Sequence, residues 1–188
     1  MQSFLDIAVI TLGWAMIASF AWSMKNHFVV AGFPLGARLV SLAVFGCGMA
    51  LTWTLAVTEQ PLPYLVAGLA AQAAAGGLFW WAIASSRRAR LRFIFDADQP
   101  ASLVTDGPYR MIRHPFYASY LLFWAGWSLS SASLWAVAIL AYFAFAYTVA
   151  AKEEEDNFAS SPLADEYRRY RRTAGRFLPR LRSIAAGA

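Results

Sequence analysis

Apolar residues fall into four blocks separated by polar stretches. The first covers about Phe4–Met24, with Asp6 at its outer edge. The second, Leu39–Val57, carries no charge, and the third, Leu62–Ser85, has Gln72 as its one strongly polar side chain. Each has the roughly 20 residues needed to cross a hydrocarbon core of about 30 Å. The fourth block, Pro115–Ala151, is an uncharged run of 37 residues. As one helix it would extend about 55 Å at 1.5 Å per residue, too long for a bilayer. It has to fold back. The natural break is the cluster of small hydroxyl residues Ser128-Leu-Ser-Ser-Ala-Ser133. The pattern therefore predicts two helices, Pro115–Leu129 and Leu134–Ala151, in a tight hairpin. The first is short for a full span and is expected to be tilted, kinked or sunk below the surface. The expectation is an all-α integral membrane protein with five transmembrane helices.

Composition agrees with this reading. The chain has 188 residues, of which 59% are hydrophobic and 14% charged, where soluble domains carry about 25% charged residues. That length suits one domain, 1–188, with three membrane helices in 1–86 and a more polar half in 87–188. The first apolar stretch lacks a basic leader and is long enough to remain a span, so no cleavable signal peptide is expected. The single cysteine, Cys47, leaves no internal disulfide and no cysteine-based zinc site. His27 and His114 are far apart, so no metal site is expected. The net charge of +5 comes from bases that flank the membrane blocks. There they suit anionic lipid heads rather than nucleic acid.

The distribution of these bases orients the chain. The N-terminal tail and the Thr58–Pro61 loop contain no Lys or Arg. Arg87, Arg88, Arg90, Arg92, Arg110 and Arg113 fill the third loop, and Arg168 through Arg182 supply seven more in the tail. The N-terminus is expected outside, with the third loop and the C-terminus on the cytoplasmic side of an inner, cytoplasm-facing membrane. In the third helix, Ala67, Ala71 and Ala75 form one stripe, with Gly68, Gln72 and Gly76 beside it. Small residues at this spacing let helix backbones approach closely in lipid, and Gln72 is expected to bond a neighbouring helix.

Two polar segments flank the hairpin, Leu103–Tyr117 and Lys152–Pro179. The hairpin returns the chain to its starting side, so the two segments should meet. The second opens with Lys152-Glu153-Glu154-Glu155-Asp156. Negative charge at a helix C-terminus is unfavourable by about 0.3–1 kcal/mol per group. Either the acids pair with arginines downstream, or the helix continues past the membrane, or one or two acids hold a cationic ligand. His114 precedes Pro115 at a helix start. It either caps that helix or touches a ligand at the helix N-terminus, where free N–H groups attract a carboxylate. Tyr109, Tyr117, Tyr167 and Tyr170 suit either a membrane-interface belt or the site. The arginines Arg168 to Arg172 lie on a predicted short amphipathic helix and suit lipid heads or the acidic run.

The ordered set Gly107, Tyr109, Arg110, Arg113, His114, Pro115 and Tyr117, then a hairpin, Glu153–Glu155, Tyr167, Tyr170, Gly175, Arg176 and Pro179 resembles the isoprenylcysteine carboxyl methyltransferase and phospholipid methyltransferase family. The resemblance covers roughly residues 100–180. The chain departs from the family's usual Phe-Gly at Ser160-Ser161-Pro162-Leu163. The resemblance implies a membrane methyltransferase that uses S-adenosylmethionine and releases S-adenosylhomocysteine. Its cofactor pocket would be built from the cytoplasmic loop and the short C-terminal helix. It implies cofactor contacts from His114, Pro115 and Tyr117, and from two of the three glutamates, with Glu153 and Glu154 preferred; Arg113 suits the cofactor's carboxylate, and Tyr109 and Tyr167 are further candidates for cofactor contact. Arg176 is the candidate for orienting an anionic acceptor, and Glu154 for taking a proton from an amine. The leading acceptor is a lipid or prenylated molecule methylated on a carboxylate, as in isoprenylcysteine carboxyl O-methylation. Phosphatidylethanolamine N-methylation is the alternative within the family. An NADPH-dependent membrane reductase is the alternative outside it.

Overall fold

The computed structural model describes residues 4–26, 35–87 and 102–180. His27, Arg88, Arg90, Arg92 and Arg182, used above to orient the chain or exclude a metal, lie outside the described residues. Among the described residues six α-helices follow in order: α1 (Phe4–Asn26), α2 (Leu35–Val57), α3 (Leu62–Ser86), α4 (Pro115–Ser130), α5 (Ala136–Ala159) and α6 (Ala164–Thr173), with a 3₁₀ turn at Gly107–Arg110. Among the described residues there is no strand, only an isolated parallel bridge between Ile112 and Gly175.

Helices α1, α2, α3 and α5 are long and apolar enough to cross a membrane. They are greasy all round and expose large side chains such as Leu42, Trp53 and Phe145, as a lipid-facing surface requires. Helix α4 differs. Its 16 residues reach only about 24 Å, and ten of them are buried, including Phe123, Trp124 and Trp127. It forms the centre of the bundle, packed against α3, α5, α1 and α2.

Gly68, Ala71 and Gln72 of the small-residue stripe lie at the α3–α4 contact, whereas Gly76 faces Met16 of α1 and Ala67 is exposed. A Cβ on Gly68 would sit 2.4 Å from the Gly126 carbonyl oxygen, and one on Gly126 would sit 2.7 Å from that of Gly68. Only glycine lets the two backbones approach this closely. Gln72 is fully buried, yet its amide finds no hydrogen-bond partner among the described residues, unlike the interhelical bond its type suggests.

The chain reverses between Ser130 and Ala136, within the predicted serine cluster, with Ala132 at φ +45°. The Ser131 hydroxyl donates to the Ser128 carbonyl at 2.7 Å, and the Ser128 hydroxyl donates to that of Ala136 at 3.2 Å. The largest departure from the sequence pattern is the end of α5, expected at Ala151 and found at Ala159. The buried stripe Phe143, Tyr147, Ala151 and Glu155 continues without a break, and Lys and Glu are good helix formers. Glu153, Glu154 and Glu155 therefore lie inside the helix, and only Asp156 falls in its last turn.

Candidate functional site

The 3₁₀ turn is set by Gly107, whose φ of +58° favours glycine. A Cβ there would also meet the Ser85 Oγ at 1.9 Å, so the turn sits directly on the end of α3. Beyond it, the chain clips to the tail through its backbone. The Arg113 N–H donates to the Gly175 carbonyl at 2.7 Å, the His114 N–H to that of Arg176 at 3.1 Å, and the Gly175 N–H to that of Met111 at 2.9 Å. Arg113 adds a bond from Nη1 to the Ala174 carbonyl at 2.6 Å. The Tyr170 hydroxyl donates to the Tyr109 carbonyl at 2.6 Å. These bonds join two segments about sixty residues apart into one platform.

Helix α5 returns antiparallel to α4 and delivers its acids onto that platform. Glu155, 4% exposed, is the centre of the arrangement. Arg113 reaches its Oε1 from Nε at 3.2 Å and Nη2 at 2.9 Å. Arg176 donates from Nε to Oε1 at 3.1 Å and from Nη2 to Oε2 at 2.8 Å. His114 Nε2 lies 3.2 Å from the same Oε1. A buried carboxylate must be paired and hydrogen-bonded, and here two guanidiniums and an imidazole do so.

Glu154 sits on the outer edge. Its side chain is 30% exposed, with Oε2 at 3.2 Å from His114 Nδ1. The Tyr117 hydroxyl donates to its Oε1 at 2.7 Å. A carboxylate has about four acceptor positions, so Glu154 retains capacity toward solvent. His114 thus bridges both acids. Burial draws its imidazole down, but the hydrogen bonds and negative charge of Glu154 and Glu155 more than offset this and hold it above its ordinary value. His114 occupies the position just before α4, yet its side chain makes no cap bond. The ring is committed to the acids instead.

Aromatic rings continue the site inward. The His114 ring stacks on Tyr117 at 5.8 Å, Tyr117 on Tyr147 at 5.6 Å, Tyr147 on Phe143 at 5.6 Å and Phe143 on Trp124 at 4.1 Å. The column joins the charged surface to the apolar interior.

The structure thus brings Arg113, His114, Tyr117, Glu154 and Arg176 together, with Pro115 buried at the first position of α4. The other candidates sit in the flanking cores or point outward, with Tyr167 close enough to Arg113 and Glu155 to feel their charges. Glu153 is exposed. Tyr109 is buried in the main core. Tyr167 stacks on Phe158 at 4.9 Å in a small second core with Tyr170 and Ala174, where burial pushes its phenol up to about 12. Arg176, the candidate for a free anion binder, is bidentate on Glu155, with 34% of its side chain exposed. Glu155 was the least favoured acid on sequence grounds. The signal for it was the four-residue spacing of Phe143, Tyr147 and Ala151, which extends to position 155.

An all-helical bundle with membrane-length helices and a charged, ring-lined cluster at one end defines an integral membrane protein with a polar site at its surface. The model of the phospholipid methyltransferase family matches residues 64–164, more than half of the chain, and the protein belongs to that family of membrane methyltransferases. The match spans α3 to the start of α6, including His114, Glu154 and Glu155, and stops before Gly175 and Arg176. Neither the comparison with curated proteins nor that with solved structures finds a match.

Proposed function

We propose that the protein transfers a methyl group from S-adenosylmethionine to a lipophilic acceptor at the cytoplasmic face of the membrane. The observation that carries this reading is Glu154, a half-open carboxylate oriented by Tyr117 and His114 beside the start of α4. The donor set fits the cofactor's chemistry. Glu154 suits the ammonium. The N-terminal end of α4, the positive end of its dipole, suits the carboxylate. The faces of Tyr117 and its neighbours suit the sulfonium. The cofactor, when bound, supplies an electrophilic methyl group. Arg113 and Arg176 act indirectly in this reading, by holding Glu155 and so fixing His114.

Methyl transfer is an in-line displacement, so the protein contributes alignment and exclusion of water. A carboxylate acceptor, as in isoprenylcysteine carboxyl O-methylation, is already ionised and needs no base. An amine acceptor, as in phosphatidylethanolamine N-methylation, must lose a proton. Glu154 is the acid in the cluster open enough to take it. The commitment of Arg176 to Glu155 and the family match favour this second reading over an anion-orienting role for Arg176.

The same reading takes α4 as a short fifth crossing, with the N-terminus outside and the C-terminus cytoplasmic. Support comes from the antiparallel α4–α5 hairpin, which returns the chain to the side of His114, and from arginines near both polar segments. A labelled-methyl assay on whole membrane lipids and on prenylcysteine analogues tests the function. A label released by alkali marks an ester, and a label that resists marks an N-methyl product. Titration with S-adenosylhomocysteine and with NADPH tests the class; binding of NADPH alone would replace methyl transfer with reduction.

A further inference from the structure

An open groove of about 870 Å³ runs along the other side of the 3₁₀ turn. None of its lining residues belongs to the His114–Glu155 cluster. One wall is a single face of α6, where Glu166, Arg169, Tyr170 and Thr173 recur at helical spacing. The rest of the lining combines apolar and basic groups: Trp81 in the last two turns of α3, then Leu103, Arg110 and Met111. Arg180 also lines the groove and donates from Nη1 to the Arg171 and Arg172 carbonyls at 3.2 and 2.9 Å. Among the described residues, neither Arg110 nor Arg169 is paired with a carboxylate, although Glu166 lines the same groove. Trp81 and Met111 are each more than two-fifths exposed. Trp81 lies in the last two turns of α3, a membrane-length helix that ends at Ser86, where tryptophan is enriched near the bilayer interface.

We propose that this groove binds a phosphate-bearing amphiphile, with the phosphate on Arg110, Arg169 and Arg180 and the start of an acyl chain along Trp81, Leu103 and Met111. Arginine suits phosphate through paired N–H donors, and a groove with one basic and one apolar side at a membrane surface matches a molecule with the same two ends. The shared chemistry is the phosphate, which either a membrane lipid or a soluble phosphate ester supplies.

The test uses the purified full chain in a zwitterionic detergent, titrated with dihexanoyl phosphatidylglycerol, glycerol 3-phosphate and dihexanoyl glycerol. The lipid is expected to bind, and dihexanoyl glycerol is not. Weaker binding of glycerol 3-phosphate than of the lipid is expected, which assigns the membrane source; binding at comparable affinity would show that the apolar wall contributes nothing and would overturn the amphiphile. Arg110→Gln with Arg169→Gln should weaken binding roughly 10-fold or more. Arg168→Gln with Arg172→Gln, off the groove, should leave it unchanged. Thr173→Trp, which narrows the groove without altering charge, should abolish it. Unfolding temperature and circular dichroism report whether each variant is folded. Equal binding of dihexanoyl glycerol, equal weakening by both arginine pairs, or unchanged binding in Thr173→Trp overturns the proposal.

Discussion

His114 and Glu155 are separated by 41 positions, yet His114 Nε2 lies 3.2 Å from Glu155 Oε1. The contact requires the α4–α5 hairpin, the extension of α5 past the apolar run and the docking of the tail, since Arg113 and Arg176 share the same carboxylate. Glu155 is therefore expected to hold the platform together. Glu155→Ala leaves Arg113 and His114 buried without their counter-charge. Breaking a buried pair in this way costs about 3–5 kcal/mol. Chemical unfolding in detergent measures it. A loss under 1 kcal/mol would show that the cluster is solvated and contributes little.

The same contact gives stability a pH dependence. The folded-state value of His114 is raised above its ordinary 6.5. Its contribution is then fully present below that value and is lost as pH rises through the folded value. The wild-type unfolding temperature is expected to fall as pH rises from 6.5, and His114→Gln should flatten that slope. A wild-type slope matched by the variant would assign the effect to other groups.

Packing at the centre of the bundle offers a contrast within α3. Gly68→Ala places a methyl group 2.4 Å from the Gly126 carbonyl oxygen and 2.0 Å from the Ser130 Oγ. Overpacking of this kind costs about 1–3 kcal/mol. Gly77→Ala meets nothing within 4 Å and gains up to about 1 kcal/mol of helix propensity. Thermal unfolding of the two variants should therefore shift in opposite directions.

The tail depends on Gly175, where a Cβ would lie 2.0 Å from the Leu178 carbonyl oxygen. Gly175→Ala is expected to release residues 175–180 from His114, expose them to protease, and lower turnover through loss of the Arg176–Glu155 pair. Arg176→Ala should lower turnover as well, since it removes two of the bonds to Glu155. Protease resistance equal to that of the wild type in both variants would mean that the backbone clip holds without them.

Much of this was legible from the chain. The length of the uncharged run forces a hairpin, and the serine cluster locates it. The hairpin then brings Arg113, His114 and Tyr117 to the acids. Two features were hidden. Hydropathy stops at the first charge, so it ended α5 at Ala151 and lost the four-residue stripe that selects Glu155. Hydropathy also cannot separate a helix greasy for lipid from one greasy for protein. Length marks α4 as short for a span, but its hydropathy gives no sign that it is the buried centre of the bundle. The tyrosines were ambiguous for a related reason: a phenol suits a core, an interface or a site. Tyr109 and Tyr167 went to cores, while Tyr117 reached an acid.

The most direct measurement is a calorimetric titration of S-adenosylhomocysteine into the wild type, Glu153→Gln and Glu154→Gln, with unfolding temperatures recorded for each. The account predicts tight binding to the wild type and to Glu153→Gln. It predicts binding at least about 10-fold weaker to Glu154→Gln, with the variant still folded and its unfolding temperature lowered only by the lost contact with His114. Equal affinity in Glu154→Gln and the wild type, or no binding to any of the three, would contradict it.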